Sequence, residues 1–161
     1  MLRIVDSFSK LNMDELLAVY EQSNLEHGRS VAPSGSRWEQ LRWGEDHMRQ
    51  YLMDFLNEAD TRLALWYAED ACVAALRLEA YSDGYLVSGL ETAPNARRRG
   101  YGISLLLAVA KWFPEPIYSH VSKRNHGSLS VHKAAGFVVS CDHARLLDGT
   151  VSQNYFTLTI H

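Results

Sequence analysis

The stretch from Leu90 to Val109, reading LETAPNARRRGYGISLLLAV, constrains this chain more than any other. An extended run, Tyr85 to Thr92, enters a short polar turn. The turn leads through Arg97-Arg98-Arg99-Gly100-Tyr101-Gly102 into an apolar pattern of helical spacing. A strand that passes through a basic, glycine-bearing loop into a helix start builds an anion site. The first turn of a helix has backbone N–H groups with no internal partner, and the helix dipole adds partial positive charge. Glycine at 100 and 102 leaves no Cβ between a phosphate and the main chain. The same residues also suit an ordinary strand-to-helix connection with a solvated arginine run, and a short glycine motif does not separate the two.

The rest of the chain reads as one mixed α/β domain over residues 1–161, without repeat, linker or low-complexity tract. Leu2 to Phe8 alternates as a first strand. Asp14 caps a helix running to about Glu26, with Leu16, Leu17, Val19 and Tyr20 as its apolar stripe. Two glycines, a proline and three serines make His27 to Ser36 a loop. A second helix spans Arg37 to about Glu58, with Gly44 as a point of division and Trp38 and Trp43 as packing residues near its start. Leu63–Tyr67, Cys72–Ala80 and Tyr85–Thr92 form an antiparallel meander, turning at Glu69-Asp70-Ala71 and Ser82-Asp83-Gly84. The helix after the basic loop presents Ile103, Leu106, Leu107, Ala110 and Phe113 on one face and ends at Pro114 and Pro116.

Ile117–Val121 follows that helix and so runs parallel to the strand before it. A further helix over about Ser128–Ala135 stops at Gly136. Phe137–Cys141 and Val151–Ile160 close the domain as an antiparallel pair that reverses at Asp148-Gly149.

A formal charge of −3 argues against a general nucleic-acid or membrane binder. Cys72 and Cys141 lie far apart without metal-ligand spacing, so neither a disulfide scaffold nor a metal site is indicated. MLRIVDSF is too short and too interrupted for a signal peptide, and no 18-residue apolar run occurs, which makes a cytoplasmic protein the expectation.

Three features occur in one order: Arg97-x-x-Gly100-x-Gly102, Asn125-x-x-Ser128 at the next helix start, and Gly136-Phe137 after that helix. This set resembles the GNAT superfamily of N-acetyltransferases, with motifs from about Leu86 to Phe137. The resemblance implies a mostly antiparallel mixed sheet of about seven strands flanked by about four helices, with a parallel, splayed pair at 85–92 and 117–121. It implies acetyl-CoA as cofactor. Backbone N–H groups around Arg99, Gly100, Tyr101, Gly102 and Ile103 would cradle the pyrophosphate, with Arg97 and Arg98 adding charge. Leu90 and Thr92 would pair main chain with the pantetheine arm. Asn125 would contact the pantetheine and Ser128 a phosphate, although Asn125 also suits plain helix capping. Lys123, Arg124 and Lys133 suit solvated positions.

The implied reaction is acetyl transfer to a primary amine, of a small molecule or a peptide terminus, by direct attack in a ternary complex. The substrate ammonium must first lose a proton, and the departing thiolate benefits from a hydrogen bond or a proton. His132 stands where family members often carry tyrosine, seven residues after Asn125, and is assigned to the thiol, with packing or a cofactor contact as the alternative. His120, five residues before Asn125, is the first candidate for the base, with Glu91 and Glu79 as further ones and bulk water as the alternative. His120 alternates with Ser119 and Val121 and should face the other side of the sheet from them. Glu26, His27, Arg29, Trp38 and Glu39 lie where the family selects its acceptor, or form a solvated loop. A non-catalytic acyl-CoA-binding module on the same fold is the competing reading, since Leu86 and Ser88 cannot serve as bases. Dimers are frequent in the family, and the closing strands at 137–160 offer an edge for a homodimer.

Overall fold

The computed structural model describes residues 1–161. Strands pair along the sheet largely in the order they occur in the chain. β1 (Leu2–Val5), β2 (Arg62–Ala68), β3 (Ala71–Tyr81) and β4 (Gly84–Thr92) run antiparallel to their neighbours. β5 (Ile117–Ser122) lies parallel to β4. The sheet closes through β6 (Val138–Cys141), with two-residue strands β7 (Ala144–Arg145) and β8 (Val151–Ser152), and with β9 (Tyr155–Ile160). Its order is β1-β2-β3-β4-β5-β9-β6, seven strands in all, while β7 and β8 form a separate hairpin. The expected closing strand at 151–160 is thus broken. Val151–Ser152 pairs back with Ala144–Arg145 around the Asp148-Gly149 reversal, and the chain re-enters the main sheet at Tyr155.

Five helices flank the sheet, where about four were expected, because α1 (Met13–Val19) and α2 (Glu21–Val31) break at Tyr20. Asn12, not Asp14, is the residue that precedes α1. α3 (Arg37–Phe55) starts at a capping box. Ser36 Oγ accepts from the Glu39 N–H at 3.2 Å, and Glu39 Oε2 accepts from the Ser36 N–H at 2.7 Å.

The loop expected at His27–Ser36 is helical as far as Val31, and Gly44 does not divide α3. Both departures have one cause. A Cβ at Gly28 would stand 1.6 Å from the Gln40 carbonyl oxygen, and one at Gly44 would stand 1.9 Å from that of Asn24. These glycines let the backbones of α2 and α3 touch, so they serve packing rather than a turn. Trp38 and Trp43 are not packed but 65% and 55% exposed, and Arg42 lies over the Trp38 ring.

The two sheet faces carry separate cores. Leu63, Leu65, Val73 and Ala75 pack under Leu16 and Val19 of α1 and Leu52 and Phe55 of α3. Ala64, Ala74, Leu76 and Val87 pack under α4 (Tyr101–Trp112) and α5 (His126–Ala134). The buried stripe of α4 is Leu105, Leu106 and Val109, whereas Leu107 is 37% exposed. Nearly every position from Ile103 to Val109 is apolar, so spacing alone did not single out the face. Each of the three buried side chains contributes about 1.5–3 kcal/mol of apolar burial. No helix is long and apolar enough to cross a membrane.

Candidate active site

β4 and β5 pair only over Tyr85–Val87 and Ile117–Ser119. Beyond Val87 and Ser119 both strands continue unpaired with each other, and a cleft of about 800 Å³ is lined by the end of β4, α2, the basic loop with the first turn of α4, and α5. A bulge in β4 shapes its wall. Arg77 faces Ser88 and Ala75 faces Glu91, so Gly89 and Leu90 of β4 together oppose the single Leu76 of β3. Gly89 takes the left-handed conformation at φ +59°, and its carbonyl accepts from Tyr20 Oη at 2.6 Å. The extra residue reverses the alternation, so that Glu91 joins Ser88 on the side of α1–α3.

Where the basic loop enters α4, the cleft offers free backbone donors. Gly100 is the residue before α4 and has φ +79°, and nothing in the protein lies within 4 Å of where its Cβ would stand. The first helical amide with an internal partner is that of Ser104, which donates to Gly100 O at 2.9 Å. The N–H groups of Tyr101, Gly102 and Ile103 are therefore the free first turn. Leu90, Thr92, Arg97, Arg98, Gly100, Tyr101, Gly102, Ile103, Asn125 and Ser128 all line this one cleft; Arg99 does not. The Arg97 guanidinium is turned toward α2, donating to the Thr92 carbonyl at 3.2 Å and to Gln22 Oε1. Asn125 caps α5, its Oδ1 accepting from the Ser128 N–H at 3.0 Å. Capping and cleft lining thus coexist in Asn125.

The same cleft also carries two carboxylates. Glu26 and Glu91 line the cleft with Gln22 and Ser23. The Ser23 hydroxyl donates to Glu91 Oε1. Burial pushes the Glu91 carboxyl up to about 7; Arg97 opposes the rise and the nearby Glu26 reinforces it. Glu79, the other carboxylate considered, is also held above its ordinary range by burial, with Arg77 opposing, but it does not line the cleft.

Neither histidine expected at the chemistry lines the cleft. His132 is 2% exposed. Its Nδ1–H donates to the Ser128 carbonyl at 2.8 Å, which leaves Nε2 to accept from the Ser119 hydroxyl at 2.9 Å. Both ring nitrogens are used, and burial holds its pKa below the ordinary value. His132 is thus a strut between Ser119, where the β4–β5 pairing ends, and Ser128 on the cleft wall. His120 stands beneath the β7–β8 hairpin. Its Nε2 donates to the Arg145 carbonyl at 3.0 Å, its Nδ1 lies 3.1 Å from Thr157 Oγ1, and Tyr81 packs edge-on against it. Burial lowers its pKa as well.

The sequence profile of the Acetyltransferase (GNAT) family matches residues 19–137. The chain belongs to the GNAT family. Solved structures similar to this GNAT chain extend over almost its whole length. The PaiA N-acetyltransferase of Thermoplasma acidophilum, solved with coenzyme A, is 14% identical, covers 99% of this chain and 98% of its own, and has a TM-score of 0.64. The PseH N-acetyltransferase of Campylobacter jejuni, solved with acetyl coenzyme A, is 12% identical over 99% and 98%, with a TM-score of 0.60. A spermidine N-acetyltransferase of Vibrio cholerae is 14% identical over 99% and 92%, with a TM-score of 0.64. At these identities the likeness is one of fold. No curated protein matches the sequence. The GNAT family uses acetyl-CoA as acyl donor, and the open space at Gly100, the free first turn of α4 and the splay of β4 from β5 fit such a molecule.

Proposed function

We propose that this chain is an acetyl-CoA-dependent N-acetyltransferase that acts on a primary amine of a small molecule or peptide by direct attack in a ternary complex. One observation carries the reading: an anion cradle and a carboxylate that titrates near neutrality share a single cleft. When bound, the cofactor supplies an acetyl thioester. The first turn of α4, Arg98 and Arg97 would hold its diphosphate. Leu90, Thr92, Asn125 and Ser128, which line the same cleft, would hold the pantetheine arm.

Glu91 takes the proton from the incoming ammonium. A carboxyl with a pKa of about 7 is substantially ionised at neutral pH and still binds a proton strongly enough to act as a general base. Holding both reactants in one cleft supplies a large further part of the rate. His132 acts by fixing Ser128, and His120 by fixing the hairpin; neither moves a proton in the reaction.

Thiol release across a panel of primary amines tests the reading. Amine-dependent release that is lost in Glu91→Gln supports it. Tight coenzyme A binding with no amine-dependent release would leave the non-catalytic acyl-CoA-binding module instead.

A further inference from the structure

We propose that Glu26 is a specificity-determining residue that binds a second ammonium group of the acceptor, so that the chain selects short diamines over monoamines. The inference rests on the reading of the cleft as an amine acetyltransferase site and adds to it the acceptor's chemistry.

The cleft holds both signs of charge. Arg97, Arg98, Glu91 and Glu26 all line it, and Gln22 lies between Arg97, from which its Oε1 accepts, and Glu26, to which its Nε2 donates. An acyl donor with a diphosphate would draw on the two arginines and leave the two carboxylates without counter-charge. Neither glutamate is in an ion pair; the ion pairs of the protein join Lys10 to Asp6, Arg37 to Glu21, Arg49 to Asp14 and His143 to Asp142. Arg97 acts on Glu91 only at longer range, and that influence is spent once a diphosphate faces the guanidinium.

The two carboxylates are also spaced by a rigid element. Ser23, which donates to Glu91, and Glu26 lie three residues apart on α2 and so on one helix face, roughly 5–6 Å from each other. Gln22 Nε2 donates to Glu26 Oε1 at 3.0 Å, which holds that carboxylate on the same wall. Close packing of α2 on α3 through Gly28 and Gly44 keeps the spacing from drifting.

The two glutamates then have different tasks. Glu91 removes a proton from the nitrogen that is acetylated. A second aliphatic nitrogen has a reference pKa of about 10.4 and stays cationic at neutral pH, so it calls for a carboxylate partner. Glu26 is exposed and offers one, a helical turn from Ser23. A monoamine leaves Glu26 unused.

The test compares kcat/KM for diaminobutane with that for butylamine, using the full chain, acetyl-CoA and thiol release at fixed pH and ionic strength. The wild-type ratio favours the diamine. In Glu26→Gln the ratio falls about five-fold, the scale of one solvent-accessible ion pair, and Glu26→Asp restores part of it. A wild-type ratio no greater than one, or a ratio unchanged in Glu26→Gln, overturns the inference while the acetyltransferase reading stands. No release with either amine, with coenzyme A still bound, overturns both.

Discussion

Glu91→Gln separates chemistry from stability, because its two expected effects have opposite signs. Burial raises the Glu91 carboxyl from 4.5 to about 7. The folded protein therefore holds that proton more tightly than the unfolded chain does. The associated stability is fully present below the ordinary carboxyl pKa and is lost as pH rises toward about 7. Taken in full, the shift is worth about 3 kcal/mol. Glu91 is only part-buried, so solvent screening reduces this to about 1–2 kcal/mol. Glutamine keeps the shape and can still accept from Ser23, but it carries no charge to desolvate. Near pH 8 the variant should therefore melt about 3–6 °C above wild type, and near pH 4 the difference should vanish. Activity should move the other way. Removing a general base lowers kcat/KM about 10²–10³-fold, and the rise in wild-type kcat/KM through about pH 7 should disappear. Thermal melts at both pH values, with thiol release followed across the range on one amine, measure both arms. A variant that melts lower than wild type at pH 8, or that keeps both its rate and its pH limb, refutes the assignment of Glu91.

Three further substitutions test the supports of the cleft. His132→Ala leaves the buried Ser119 hydroxyl without its partner and opens a cavity, at a cost of about 2–4 kcal/mol in chemical denaturation. Its pH–rate limb should stay where the wild type has it; a large loss of kcat at unchanged stability would instead make His132 a donor to the thiol. Gly44→Ala drives a methyl group to 1.9 Å from the Asn24 carbonyl oxygen and must push α2 from α3. About 2–4 kcal/mol should be lost, measured by denaturant midpoint. Gly100→Ala costs only about 1 kcal/mol through its left-handed backbone. Its methyl meets no protein atom within 4 Å and projects into the anion cradle, so the KM for acetyl-CoA should rise far more than stability falls.

Much of this fold is legible in the sequence because its signals are local. The turns at Glu69-Asp70 and Ser82-Asp83, the prolines after α4 and the left-handed Gly136 each punctuate the chain where the structure does. The helix pair α2–α3 was misread for the opposite reason. Gly28 and Gly44 look like breakers in one dimension, and their purpose is visible only when two helices cross. Trp38 and Trp43 are apolar by composition, but α3 buries Met48, Leu52 and Phe55 instead, and that choice of face depends on where the sheet lies. The anion loop was readable because strand, glycine and helix start are contiguous.

The base was not readable in the same way, and the reason lies in a single residue. Strict alternation from Leu86 and Ser88 assigns Leu90 and Thr92 to the face of α1–α3 and turns Glu91 away from it. Glu91 accordingly ranks behind His120 of β5, which stands five residues before Asn125. Gly89 undoes the parity. A left-handed glycine inside a strand inserts one residue, bends β4 where it leaves β5, and brings Glu91 round to the wall of the cleft. The β4–β5 pairing ends at Val87, two residues before this glycine, so the bulge lies where the two strands part. A substitution that removed the bulge would turn Glu91, the proposed base, away from the cleft wall.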